Sequence, residues 1–189
     1  MAALRRAQAL LDTAGPGPAA PARSGTHPVS EALILRVGTE FQGFVRDLFD
    51  LAVISLVRGL GCASEYEADL TAAMTRDRWT DRGNPHLDAV RKDAERLGID
   101  SLGSRLQVAN HHHASDAALL TELIELRNAL AHDDRIRLLK LSQRGAEPTL
   151  GYADAAYQGV NRYAHALDKV VWDHLSGLFP AHDLWSSSP

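Results

Sequence analysis

The chain has 189 residues, a formal net charge of -4 with its 9 histidines counted as neutral, 45% hydrophobic and 23% charged residues, and a single cysteine. This size suits one ordinary core with short extensions. The charge excludes a protein that coats nucleic acid by general basicity, and a lone Cys62 excludes an intrachain disulfide or a zinc site built from several thiolates. Alanine, leucine, arginine and aspartate dominate while Val/Ile clusters are scarce, so an all-α fold is expected. The most apolar stretch, Leu48 to Leu60, is interrupted by Asp50 and Arg58 and falls short of the roughly 18 to 20 apolar residues of a membrane span. The apolar patch after Arg5 and Arg6 is too short for a secretory signal. A cytoplasmic protein, not a membrane one, is expected.

Residues 1–13 have the composition of a short helix, and the Pro/Gly/Ala run that follows forbids regular structure, so residues 1–27 are expected to be a flexible N-terminal extension. From Ser30, two apolar lines appear: Ile34, Val37, Phe41, Phe44, Leu48 and Leu51, and beside them Val45, Phe49, Ala52 and Leu56. They predict a long amphipathic helix ended by Gly59 and Gly61. Ser64 with Glu67 gives a capping-box pattern for a helix to Arg76. Asn84-Pro85 signals another start, and Gly98 a stop, for a helix carrying Leu87, Val90, Ala94 and Leu97. Residues 99–114 read as irregular. Ser115 or Asp116 is expected to open the next helix, and residues 135–150 read as a hairpin or loop. The last helix runs from about Tyr152 to Leu178, with Val160, Tyr163, Leu167, Val170, Val171 and Leu175 inward, and 181–189 form a tail with Leu184 and Trp185. The expectation is an up-and-down helical bundle of four to five helices over residues 28–180, with a short irregular or hairpin insertion.

Chemistry concentrates in the segment from Leu119 to His132. At about 100° per residue, Leu119, Leu123, Leu126 and Leu130 fall on one line, expected to face the core, and Leu120, Ile124 and Ala131 on a second. Asn128 and His132, four apart, share the side away from the leucines. Arg127 projects near the second line with a side chain long enough to reach round. Imidazole exchanges protons near neutral pH, and a guanidinium fork suits phosphate oxygens. RNA carries its own nucleophile in the 2′-hydroxyl. One histidine from each of two subunits would supply base and acid, with arginine steadying the charge at phosphorus.

At these residues the sequence resembles the HEPN family, whose hallmark is Arg, a polar residue, three variable residues and His. Arg127-Asn128-Ala129-Leu130-Ala131-His132 matches it, and the chain is most similar to the RiboL-PSP-type bacterial branch. The opening helix, Glu40-Phe41-Gln42-Gly43-Phe44-Val45-Arg46-Asp47-Leu48, and the closing Leu167-Asp168-Lys169-Val170-Val171-Trp172-Asp173-His174-Leu175 are similar to that group's helices. The resemblance implies a bundle that dimerises so that two motifs face each other, with metal-independent endoribonuclease activity leaving a 2′,3′-cyclic phosphate and no cofactor. By the same likeness Arg127 positions phosphate, His132 transfers protons and Asn128 orients them, with Glu40 a further polar contributor. It also implies a toxin or antiviral-defence effector with an antitoxin or defence-system partner. The alternative is a non-catalytic HEPN module that binds nucleotide, RNA or protein.

Other features read more plainly. His111-His112-His113 lack a companion acid or cysteine at ligand spacing and read as a loop before a helix, so no metal site is assigned. Arg135 and Arg137, with Lys140 and Arg144, are either a strip guiding RNA phosphate or a solvated face. The arginines between 76 and 92 alternate with aspartates as surface ion pairs do. Trp79 and Tyr66 are aromatic rings able to stack on a base, but they read first as packing residues, as does Cys62.

Overall fold

The computed structural model describes residues 28–82 and 86–180. All its regular elements are helical, with no strand among the described residues. The elements are α1 (Pro28–Gly59), α2 (Ser64–Thr75), a single 3-10 turn at Trp79–Asp81, α3 (Leu87–Arg96), α4 (Leu102–Ala109), α5 (His113–Ala131), α6 (Arg135–Ser142) and α7 (Leu150–Leu178). None of them is long and apolar enough to cross a membrane. The expected helix at 1–13, the Asn84-Pro85 start and the tail with Leu184 and Trp185 lie outside the described residues.

Four to five helices were expected; the described residues hold seven α-helices. The extra ones are α4 and α6, each 8 residues long, and two turns of helix give little periodicity to recognise. α4 buries only Leu102 and Leu106, one turn apart. The expected hairpin or loop at 135–150 is replaced by α6 because Asp134 caps that helix, its Oδ1 accepting from the Arg137 N–H at 3.0 Å. The capping box at Ser64 does not form: Ala63 occupies the N-cap position, without a side-chain bond. α5 begins at His113 rather than at Ser115 or Asp116, and Asp116 is buried as an ion-pair partner.

In α1, Phe44 is only partly buried and Leu51 is 48% exposed, against the expected line. A run of three-and-four spacings drifts by about 20° per heptad relative to a straight α-helix. Over 32 residues the buried stripe therefore passes from Ile34, Val37 and Phe41 to Val45, Phe49, Ala52 and Val53. In α7 the expected inward residues Val160, Tyr163, Leu167, Val170, Val171 and Leu175 are all buried.

The helices fall into two compact units, with α1 and α7 contributing residues to both. The first unit comprises described residues 28–41 and 114–163. Its core contains Ile34, Val37 and Phe41 of α1, Leu120, Leu123, Ile124 and Leu126 of α5, and Ala156, Tyr157, Val160 and Tyr163 of α7. The Phe41 and Tyr163 rings meet edge to face with centroids 6.0 Å apart, an arrangement suited to their quadrupoles. Arg162 grips the buried Asp116 carboxylate with both Nε, at 3.0 Å, and Nη2, at 2.6 Å. The Ser30 hydroxyl donates to the Pro148 carbonyl.

The second unit comprises described residues 42–113 (apart from 83–85) and 164–180. Here Asp93, 2% exposed, is a tie between α3 and the 3-10 turn. Its carboxylate accepts from Trp79 N at 2.9 Å, Thr80 N at 2.9 Å and the Thr80 hydroxyl at 2.7 Å. Arg78 links the same turn to α1, its Nη1 forming an ion pair with Asp50 at 2.8 Å while its Nε donates to Asp81 at 3.1 Å. Two cations lie over the Trp79 ring, Lys92 with its Nζ 4.0 Å from the centroid and Arg82 with its Cζ at 4.9 Å. At the far end of α1, a Cβ on Gly59 would fall 2.5 Å from the Phe179 ring, so that ring lies directly on the glycine.

Two measurements follow from this packing. Asp93→Ala strands the buried Thr80 amide and hydroxyl and the part-buried Trp79 amide, and is expected to cost about 2–4 kcal/mol in urea unfolding, while Asp88→Ala, which removes only exposed pairs, leaves the midpoint essentially unmoved. Burial raises the ionisation of Tyr163 above the usual tyrosine range, and burial with the nearby Glu122 charge does the same for Tyr152. Stability therefore holds up to about pH 10 and falls above it, as the unfolded chain loses phenolic protons that the folded chain keeps. Tyr152→Phe is expected to flatten that alkaline slope.

Candidate functional site

The segment singled out in the sequence occupies the last turns and end of α5, in the first unit. The buried arc of this helix is Asp116, Leu120, Leu123, Ile124, Leu126 and Ala129. Leu119 and Leu130, expected to face the core, are only partly buried, and Ala131 is exposed. The arc is centred between the two expected lines because α5 is covered on two sides. A Cβ on Gly159 of α7 would meet Leu119 at 2.8 Å, and one on Gly38 of α1 would meet the Arg127 Cγ at 3.1 Å. Glycine at both places lets neighbouring backbones approach α5 closely.

Arg127 lies in the middle of this arc, with its aliphatic stem against Gly38. Its head turns away from the packed side: Nη1 donates to the Asn128 Oδ1 at 3.3 Å. Stem packed, head turned is the usual compromise of a long cationic side chain. Asn128 is half-buried and His132 exposed, and they are linked along the backbone, His132 N–H donating to the Asn128 carbonyl at 3.2 Å. The three side chains thus follow one another round and down the end of α5, guanidinium to amide to imidazole.

His132 is the residue at which the helix ends. Asp133 takes a left-handed backbone with φ of 48°, its N–H donating to the Leu130 carbonyl at 3.3 Å and that of Asp134 to Ala129 at 2.9 Å. This paired closure satisfies the last carbonyls of the helix. Asp134 then caps α6. Both acids have a backbone task at the corner, and the imidazole projects from it.

The outlying candidates have settings of their own. Glu40 pairs with Arg36 at 2.5 Å, and two residues along an α-helix is about 200° round, so it leaves α1 on a different side from Gly38. Arg135 is exposed, 3.8 Å from Asp133. Arg137 is exposed as well, and its position two residues from Arg135 places it on another side of α6. Arg144 is drawn to Glu125 at 2.8 Å. Of the basic strip, Arg135, Arg137 and Lys140 remain solvent-facing beside the motif.

Gly38 is the site residue that sequence reasoning missed. Its signal was there: an isolated glycine inside a strong helical pattern marks a close approach. Among the described residues no group of three or more His, Cys, Asp or Glu is placed to hold a metal ion. His112 N–H bonds the Asn110 Oδ1 at 2.9 Å as the chain turns into α5. Comparison of the chain with family models, curated proteins and solved structures gives no match in any of the three.

Gly38→Leu is expected to wedge α1 from α5, costing about 1–3 kcal/mol in thermal or urea unfolding and shifting the Arg127 Nε–H resonance. Gly38→Ala requires only a few tenths of an ångström from a flexible stem. Its better helix propensity offsets that within about 1 kcal/mol, so its midpoint stays close to the parent's.

Proposed function

We propose that this chain is a metal-independent endoribonuclease of HEPN type, acting as a toxin or defence effector through a site shared by two copies. The observation that carries this reading is the pose of Arg127: its stem is fixed against Gly38 and its head is turned to Asn128, one turn before an exposed imidazole. A guanidinium so placed is oriented before any phosphate arrives, which reduces the ordering cost of binding. Each chain contributes one His132, so a base and an acid at one phosphate require a second copy of the motif.

In the proposed reaction one His132 takes the proton of a ribose 2′-hydroxyl, and the 2′-oxygen attacks the adjacent phosphorus. The bond from phosphorus to the 5′-oxygen breaks, and the other His132 protonates that oxygen. The products are a 2′,3′-cyclic phosphate and a 5′-hydroxyl end. Arg127 of each copy stabilises the charge on the non-bridging oxygens, and Asn128 holds its guanidinium. Arg135, Arg137 and Lys140 offer local attraction for flanking phosphates despite the chain's overall negative charge.

A second reading, binding of RNA or nucleotide without cleavage, rests on the same oriented Arg127, whose guanidinium suits a phosphate whether or not His132 moves a proton. One assay separates the two. Labelled single-stranded RNA is incubated in excess EDTA with the parent protein, His132→Ala and Arg127→Ala. Cleavage by the parent alone, with cyclic-phosphate ends and a fall of at least about 100-fold in each variant, is the expected result. Cleavage that EDTA abolishes, or that survives His132→Ala, defeats the nuclease reading; retained binding with no cutting by any of the three selects the second.

A further inference from the structure

The helix that follows the motif turns apolar side chains outward. In α6 only Leu141 is buried, while Ile136 is 72% exposed and Leu139 62%. At about 100° per residue, Leu138 and Leu141 fall on the inward side. Leu139, Gln143, Ile136 and Lys140 fall together on the outward one, and Arg135 and Arg137 stand at its two edges. The result is an aliphatic centre between cationic edges. A lone exposed leucine is ordinary on any surface, whereas an apolar pair one turn apart, rimmed by polar groups, marks a place of contact.

Charge narrows the choice of occupant. No aspartate or glutamate occurs from Arg135 to Ala146. Among the described residues, Arg144 is drawn away to Glu125 at 2.8 Å and Arg135 has only Asp133, at 3.8 Å, while Arg137 and Lys140 have no carboxylate partner. Asp133 and Asp134 precede the helix and are engaged at the corner. A second copy would bring an equal positive charge against this face, which repels it. RNA can use the cations, but bases stack on aromatic rings and guanidinium planes, and the aliphatic Ile136 and Leu139 are neither. A helix with leucines along one side and carboxylates flanking them answers both the apolar centre and its edges.

We propose that the outward face of α6 docks an acidic amphipathic helix of another protein. Its position gives the contact a consequence. Ile136 follows His132 by four residues, so their Cα atoms are at most about 14 Å apart, and a helix with its side chains is about 10–12 Å across. A docked helix therefore crowds the imidazole and takes up the cations that would guide RNA. In this respect, which rests on the nuclease reading, the partner restrains the enzyme.

The probe is a fluorescein-labelled peptide of about 21 residues that repeats Leu-Glu-Ala-Leu-Glu-Glu-Ala, with leucines along one side and glutamates at the flanks. Its anisotropy is titrated with the full chain, with Ile136→Ser/Leu139→Ser and with Arg137→Glu/Lys140→Glu. These side chains are exposed, so circular dichroism and the urea midpoint should match the parent's. The expected result is binding by the parent that weakens at least about tenfold in both variants, and no binding of a peptide with lysine in place of glutamate. Saturating peptide should also suppress RNA cutting by the parent and leave that by Ile136→Ser/Leu139→Ser unslowed. Absence of binding by the parent overturns the proposal, as does equal binding by Ile136→Ser/Leu139→Ser. Affinity for single-stranded RNA lost in that variant assigns the face to RNA, a dimer lost in it assigns the face to a second copy, and retention on phosphatidylglycerol vesicles lost in it assigns the face to a lipid surface; each overturns the proposal. Peptide that binds without slowing the cut overturns the restraint. If the parent cuts no RNA, the nuclease reading falls and the docking is still decided by anisotropy.

Discussion

Where α1 passes α5, a glycine and an arginine share the space that two ordinary side chains would fill. Gly38 offers no Cβ, and the methylenes of Arg127 occupy the vacated volume. The contact serves packing and chemistry at once: it sets the arginine stem against α1, and the guanidinium donates to Asn128. Buried neighbours on either side, Leu123 and Ile124 of α5 and Val37 of α1, hold the contact in register. A bulkier residue at 38 disturbs the core and the charged head together, so stability and any activity at this site are linked through one contact. Gly159 repeats the arrangement on the α7 side, and α5 is set in the first unit by backbone proximity on both flanks.

The second unit is secured differently. Its 3-10 turn makes few regular hydrogen bonds of its own, and the buried Asp93 supplies the acceptor that two backbone amides there require. Arg78 and Arg46 hold the same turn against α1, one through carboxylates and the other through the Thr80 carbonyl. Polar closure of this kind is directional where apolar packing is not, and it fixes the turn, with Trp79 at its head, against α1 and α3.

Much of this was legible in the sequence, and the gaps have physical causes. The long helices announce themselves because apolar residues recur over many turns, and in α7 every residue expected inward is inward. The glycine stops at 59, 61 and 98 could be read because a left-handed or unhindered backbone is what glycine offers, and Gly61 and Gly98 do take positive φ. Short helices were lost. α4 and α6 each expose most of their surface, so their periodicity dissolves in polar residues, and α6 even exposes Ile136 and Leu139. That the buried arc of α5 spans both expected lines and leaves Leu119 and Leu130 only partly buried was also hidden, since a helix wheel gives angles and not the number of neighbours that surround it. At the site itself, the reach of Arg127 toward its polar neighbour was visible from spacing. The involvement of Gly38, some ninety residues away in sequence, needed the fold.

The corner between α5 and α6 allows this surface to change without rebuilding. Asp133 is there for a left-handed backbone that glycine or asparagine adopts more readily, and Asp134 for a capping oxygen that serine, threonine or asparagine also supplies. Neither duty requires a negative charge. Lineages descended from this chain therefore have an easy route for altering the electrostatic field around the imidazole: two exchanges erase two charges while every backbone bond of the corner survives. The affinity of this end of the helix for polyanions is an adjustable trait, free to drift or to be selected apart from the architecture that presents it.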